Sequence, residues 1–121
     1  MKYGLIGLGN LGNNIATNLI KSDFGLYVHD LDIDKFASLE KLGAIWCKTP
    51  TELAKSVDCV ITCLPSPKIS NKVMLGTNGA LEAMISGSTW IETSTTNVND
   101  LIQISSKAEK LGIATLEAPV T

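Results

Sequence analysis

Short apolar runs along the chain alternate with longer stretches in which apolar residues recur at every third or fourth position. The longer stretches predict amphipathic helices, the second over Asp34–Leu42 and a less regular one, interrupted by glycines, over Lys68–Met84. Strand and helix in alternation predict parallel β-α units with helices on both faces of one sheet. The runs predict six strands: Tyr3–Gly7, Leu26–Asp30, Ala44–Trp46, 57–65, Thr89–Glu92 and 113–117.

Several of the predicted helices carry recognisable end signals. Thr49 with Glu52 three residues later forms the pattern of a capping box, and Pro50 occupies the favoured first helical position. Gly43 closes the second predicted helix, where a left-handed residue is needed. Asn97 can cap the last helix. The predicted elements therefore have defined limits as well as the correct periodicity.

Length and charge narrow the classes of function. The 121 residues predict one domain, 1–121, and the net charge of −2 gives no reason to expect nucleic acid or an anionic membrane as a partner. Three cysteines in apolar stretches predict reduced, buried thiols rather than a disulfide framework. The amino-terminal segment resembles neither a signal peptide nor a spanning helix, so we expect a cytoplasmic protein with small-molecule partners.

Three glycines stand between the first strand and the first helix. Gly7, Gly9 and Gly12 form the pattern G-x-G-x-x-G, and Asp30 ends the second strand at the offset where an acid meets an adenosine ribose. Such a turn lets a pyrophosphate approach bare backbone at a helix N-terminus. The pattern alone is weak, because a glycine-rich turn can serve packing only. In this context it predicts a Rossmann-type, doubly wound dinucleotide-binding sheet.

Asp30 also bears on the choice of dinucleotide. A carboxylate accepts hydrogen bonds from the ribose hydroxyls of NAD but repels the 2′-phosphate of NADP. Leu31 supplies no compensating charge, although Lys35 lies close in sequence. NAD is therefore the expected cofactor and NADP the less favoured one.

Four segments resemble, in order, the motifs of the β-hydroxyacid dehydrogenases, the family that includes 3-hydroxyisobutyrate dehydrogenase and tartronate semialdehyde reductase. They are GLIGLGNLGNNIATNL, VITCLP, IETSTTN and LEAPVT, and together they span the whole chain. The resemblance implies hydride transfer between a nicotinamide cofactor and a β-hydroxy acid or its semialdehyde. The third segment departs from the family pattern, since Glu92 stands where the family has aspartate.

The resemblance also implies roles for individual residues. Ser94, Thr95 and Thr121 would contact substrate, with Thr95 also on the nicotinamide side; without the resemblance, Ser94 and Thr95 would be interpreted as helix caps. Leu64 and Pro65 would pack on the cofactor, although a proline there also simply ends a strand. The remaining cofactor-binding positions would be Gly7, Leu8, Gly9, Asn10, Leu11, Gly12 and Asp30.

No catalytic residue is expected within the chain itself. In the family, a lysine beyond the position of Thr121 handles the substrate proton, and a helical domain follows. We therefore expect cofactor binding with little or no turnover, and self-association through exposed apolar surface. Lys68 and Lys72 have the spacing of a solvated helix face.

Two other functions agree with parts of the pattern. One is a nucleotide-binding sensor or interaction module without catalysis, and the other is a Rossmann-fold methyltransferase, whose first turn is also glycine-rich. The leucine-proline and serine-threonine segments argue against the methyltransferase. No metal site is expected, because the cysteines lack ligand spacing and His29 is the single histidine.

Overall fold

A computed structural model describes residues 1–22, 24–93 and 98–118. Strands and helices alternate from the first residues to the last, as the apolar pattern predicts. Short 3-10 turns at Ile33–Phe36 and Leu81–Ala83 supplement the helices. The strands are β1 (Lys2–Ile6), β2 (Gly25–His29), β3 (Ile45–Trp46), β4 (Cys59–Thr62), β5 (Thr89–Glu92) and β6 (Ala114–Glu117), and the helices are α1 (Asn10–Lys21), α2 (Ala37–Glu40), α3 (Pro50–Ser56), α4 (Pro67–Leu75) and α5 (Val98–Lys110).

The six strands form a single parallel sheet in the order β3-β2-β1-β4-β5-β6. The order reverses between β1 and β4, so the chain winds outward from the centre in both directions. This is the doubly wound Rossmann arrangement. The prediction of a Rossmann-type α/β fold is confirmed.

Both faces of the sheet are buried beneath helices. Along β1, Leu5 packs with Ala16 of α1 and Leu39 of α2. The next residue, Ile6, packs on the opposite face in a cluster that includes helical residues of α3, α4 and α5. All four residues of β4 are buried, as expected of a central strand in a parallel sheet. Successive side chains therefore serve two separate cores.

Two predicted helices are shorter than their patterns indicated. In place of Asp34–Leu42, the chain forms a 3-10 turn and then the one-turn helix α2, because the Asp32 carboxylate accepts from the amide of Asp34 (3.0 Å) and tightens the start. In place of Lys68–Met84, α4 ends at Leu75 with Gly76 as its C-cap. The interrupting glycine thus ends the helix instead of being accommodated within it.

The end signals behave largely as predicted. Thr49 Oγ1 accepts from the amide of Glu52 (3.1 Å). The Glu52 carboxylate accepts from the backbone amide of Lys48 (2.9 Å) instead of from the amide of the cap residue Thr49. Gly43 has a positive φ of 100°. Asn97 lies outside the described residues. Within the described ranges, every helix is too short or too polar to cross a bilayer.

The cysteines confirm the expectation of unpaired thiols in part of the core. Cys47 and Cys59 are free and buried, and burial raises the pKa of each thiol to about 11, with smaller contributions from Glu52 and Asp58 respectively. Cys63 differs, because it is only half-buried. Two of the three thiols are therefore protected from solvent as well as kept protonated at neutral pH.

Candidate functional site

A cleft of about 790 Å³ opens where the strand order reverses. Its walls come from the segments that follow β1, β2, β4 and β5, and therefore from the carboxyl edge of the sheet, where open α/β sheets bind ligands. Eight of the predicted cofactor-binding residues line it. The predicted residues in the lining are Gly7, Gly9, Asn10, Leu11, Gly12, Asp30, Leu64 and Pro65.

Two of the three glycines are required by the protein's own packing. Gly7 has a φ of 105°, and a Cβ atom there would collide with the carbonyl oxygen of Cys63. A Cβ atom on Gly12 would collide with the carbonyl oxygen of Gly7. These two glycines let the start of α1 lie close to the ends of β1 and β4. Packing alone explains both.

Gly9 has no such explanation. A Cβ atom built on it would meet nothing within 4 Å, and its φ of −65° suits any residue. It borders the cleft as the N-cap of α1, where no side chain caps the helix and no acidic residue occupies the first turn. The first amides of α1 therefore lack intrahelical acceptors and carry the positive end of the helix dipole. This surface is suited to an anion that approaches the backbone closely.

Asp30 lies immediately after β2, beside the glycine turn. Its Oδ2 accepts from the amide of Leu8 (2.7 Å) and its Oδ1 accepts from the amide of Asp32 (2.9 Å). Each carboxylate oxygen has capacity for a further hydrogen bond, so a hydroxyl-bearing ligand could still bind it. Leu8 itself lies in the core behind the turn, with 2% of its surface exposed. Its predicted contact with a cofactor would therefore be indirect.

The far end of the cleft is bounded by the segments after β4 and β5. Leu64 and Pro65 leave β4 there, as predicted, and Thr93 follows β5. Thr93 Oγ1 donates to the carbonyl oxygen of Thr62 (2.8 Å), which also accepts from the Thr93 amide (3.0 Å). The predicted substrate residues Ser94, Thr95 and Thr121 lie outside the described residues.

A buried polar chain supports this end of the sheet. Trp90 Nε1 donates to Thr62 Oγ1 (2.9 Å), and the same hydroxyl donates to Glu92 Oε1 (3.0 Å). The Glu92 side chain is fully buried, so the residue that departs from the family pattern belongs to the interior of the sheet. The longer glutamate reaches a threonine on the neighbouring strand, which ties β5 to β4.

Some cleft residues were not predicted from the sequence. Ile69, Lys72 and Val73 line the cleft from α4 at helical spacing. Of these three, only Lys72 was singled out in the sequence, where it was assigned with Lys68 to a solvated helix face. Lys35 also borders it. His29 is buried, and its Nδ1 lies 2.9 Å from the Cys47 carbonyl oxygen, so that nitrogen carries the proton. In the part of the chain that is described, no three potential metal ligands cluster.

The chain is similar in sequence to a family of NAD binding domains and to several dehydrogenases. Residues 2–121 match the sequence family described as the NAD binding domain of 6-phosphogluconate dehydrogenase. The chain is 36% identical over 118 residues to the mitochondrial 3-hydroxyisobutyrate dehydrogenase of Rattus norvegicus, and the aligned region covers 98% of the chain and 35% of that protein. It is 31% identical over 121 residues to the 2-(hydroxymethyl)glutarate dehydrogenase of Eubacterium barkeri, covering 100% of the chain and 40% of that protein.

Solved structures give the same result. The Mycobacterium tuberculosis 3-hydroxyisobutyrate dehydrogenase, determined with L-serine, superposes with a TM-score of 0.90 at 25% identity, covering 99% of this chain and 40% of that one. The chain spans between 35% and 40% of the length of the curated relatives named above. The likeness therefore concerns only part of those enzymes.

Proposed function

The chain belongs to the family of the NAD binding domain of 6-phosphogluconate dehydrogenase, and on that premise we propose that it forms the cofactor-binding part of an oxidoreductase acting on a β-hydroxy acid or its semialdehyde. The observation that carries the proposal is Gly9, which borders the cleft and whose missing side chain serves no contact within the protein. Relatives named as dehydrogenases of 3-hydroxyisobutyrate and 2-(hydroxymethyl)glutarate support the substrate class.

The described residues fit NAD. Its pyrophosphate would accept from the first amides of α1, which no side chain caps. Its adenosine ribose would donate to Asp30, and its nicotinamide half would extend toward Leu64 and Pro65. Among the described residues 30–35 that line the cleft, Lys35 is the one cation and Asp30 and Asp32 are carboxylates, a balance of charge that supports NAD over NADP.

NAD supplies a hydride acceptor when bound, and the chain's own residues would hold and enclose the reactants. Within the proposal, Ser94, Thr95 and Thr121 contact the substrate, as the family resemblance implies. Hydroxyl groups there would donate to a substrate carboxylate without adding a buried charge. Self-association is part of the same proposal, since β6 is an edge strand of the described sheet and Leu116 on it is 55% exposed.

A titration of the chain with NADH and, separately, with NADPH tests the cofactor assignment. The ring centroids of Trp46 and His29 lie 5.6 Å apart, and His29 lines the cleft. Energy transfer from tryptophan to the nicotinamide should therefore report binding. We expect saturable NADH binding and NADPH binding about tenfold weaker, because the 2′-phosphate would meet the Asp30 carboxylate. If neither nucleotide binds, the proposal is contradicted. Equal affinities for NADH and NADPH would contradict the role of Asp30 in the preference for NAD over NADP.

Cysteine labelling provides an independent measurement of where the ligand lies. Iodoacetamide at pH 8 should modify Cys63, which lines the cleft, at least about tenfold faster than Cys47 and Cys59, because burial raises the pKa of the latter thiols to about 11. NADH should slow the Cys63 reaction, as followed by peptide mass spectrometry. Unchanged Cys63 labelling at saturating NADH would place the cofactor elsewhere.

The sensor interpretation remains the second candidate, because nucleotide binding without catalysis would use the same glycine turn. Both interpretations predict little or no hydride transfer by the chain itself, so the oligomeric state of a protein that binds NADH distinguishes them. Self-association supports the dehydrogenase part, whereas tight NADH binding by a stable monomer supports the sensor. The family match leaves the methyltransferase interpretation without support.

A further inference from the structure

Asp30 makes hydrogen bonds within the protein that a ribose contact does not require. Its Oδ2 accepts from the amide of Leu8, in the middle of the glycine turn, at 2.7 Å. The short distance is typical of a charge-assisted hydrogen bond. The bond joins residues 22 positions apart in sequence and brings the end of β2 onto the loop that follows β1.

The rest of the turn is held from other directions. The Gly7 amide donates to the His29 carbonyl oxygen (2.9 Å), which continues the pairing of β1 with β2. The Leu8 side chain is anchored in the core. Gly9, which follows, is the open N-cap of α1. The Asp30 bond is therefore the side-chain contact that fixes the backbone immediately before the proposed phosphate-binding amides.

We propose that Asp30 is a positioning residue for the glycine turn, holding its backbone in the anion-binding conformation in addition to any contact with ribose. This inference rests on the proposed function. Its consequence is that the carboxylate supports the binding of phosphate groups, although its own negative charge opposes them. Loss of the carboxylate would then weaken both NADH and NADPH and would not simply exchange one preference for the other.

The positioning role and a ribose contact predict opposite changes in affinity for a ligand that lacks ribose hydroxyls when the charge of Asp30 is removed. The probes are ADP and 2′,3′-dideoxy-ADP, which lacks both ribose hydroxyls, and the variant is Asp30→Asn, which keeps the shape but loses the charge. Positioning predicts that the variant binds dideoxy-ADP about tenfold more weakly, because the turn loses a charge-assisted bond. A ribose contact alone predicts unchanged or tighter binding, because a negative charge near the anion has been removed. That result would overturn the proposal.

Asp34→Asn provides the matched control, because it removes the same charge from an exposed residue in the same loop. We expect it to leave the affinity for dideoxy-ADP within about twofold of the unmodified chain. A loss equal to that of the Asp30 variant would assign the effect to loop charge and would overturn the positioning role.

Amide hydrogen exchange in the ligand-free chain tests the same role without any nucleotide. In Asp30→Asn, exchange at Leu8 should rise at least about tenfold while exchange at Gly7, whose acceptor is a backbone carbonyl, stays unchanged. Equal acceleration at both amides would show general destabilisation, and no acceleration would show that the bond does not hold the turn; either overturns the proposal. If the unmodified chain does not bind ADP, the proposed function fails while this measurement still decides on the turn.

Discussion

Gly9→Ala should weaken NADH binding about ten- to hundredfold while leaving the fold intact. The added methyl group would meet no atom of the protein within 4 Å, but Gly9 borders the cleft, so we expect the methyl group to hinder close approach of the pyrophosphate to the α1 amides. A pyrophosphate oxygen displaced from the α1 amides loses charge-assisted hydrogen bonds, each of about 1.5–3 kcal/mol. The free energy of unfolding should change by no more than about 1 kcal/mol, because a poorer N-cap is offset by lower entropy of the unfolded chain.

Gly25→Ala is the matched control for this substitution. Gly25 also has open space around its position for a Cβ atom, but it lies at the start of β2, at the opposite edge of the sheet from the cleft. Tryptophan-to-nicotinamide energy transfer should give an unchanged NADH affinity for this variant. If Gly9→Ala binds NADH as tightly as Gly25→Ala does, the glycine at position 9 is not needed for the cofactor, and the observation that carries the proposed function is lost.

The apolar pattern was sufficient for the order of the elements but not for the form of every helix. β4 could be predicted because a continuous apolar run is required of a strand covered on both faces. The helix predicted over Asp34–Leu42 failed for a local reason. Asp32 bonds the amide two residues ahead, and such short-range bonds compete with the helical ones that periodicity anticipates. Hydrophobic spacing contains no information on that competition.

The site, too, could be predicted from the sequence only in part. The glycine spacing and Asp30 were predicted because each fits a local motif with a known physical purpose. The motif did not show which glycine serves packing and which faces a ligand, since that depends on Cys63, far away in sequence. Nor could it show the bond from Leu8 to Asp30, which requires the register that pairs Ile6 with His29. Contacts of this kind exist only once the strands are aligned.

Gly7→Ala should lower the free energy of unfolding by about 2–6 kcal/mol. Two costs combine at this position. A φ of 105° strains any residue with a side chain by about 1–3 kcal/mol. The new Cβ atom also collides with the Cys63 carbonyl oxygen, and forced overpacking costs about 1–3 kcal/mol more. Such a loss is a large share of the roughly 5–15 kcal/mol that stabilises an ordinary domain.

Gly43→Ala separates these two costs. Gly43 has a φ of 100°, nearly the same as that of Gly7, but a Cβ atom there meets nothing within 4 Å. Urea unfolding at 25 °C should therefore show only the backbone cost of about 1–3 kcal/mol for Gly43→Ala. The difference between the two losses in unfolding free energy measures the cost of the collision with the carbonyl oxygen of Cys63, the residue that follows β4. Equal losses in the free energy of unfolding would mean that β1 and β4 move apart at little cost to admit a side chain. The ends of these strands would then not hold the backbone rigidly enough to bind a pyrophosphate.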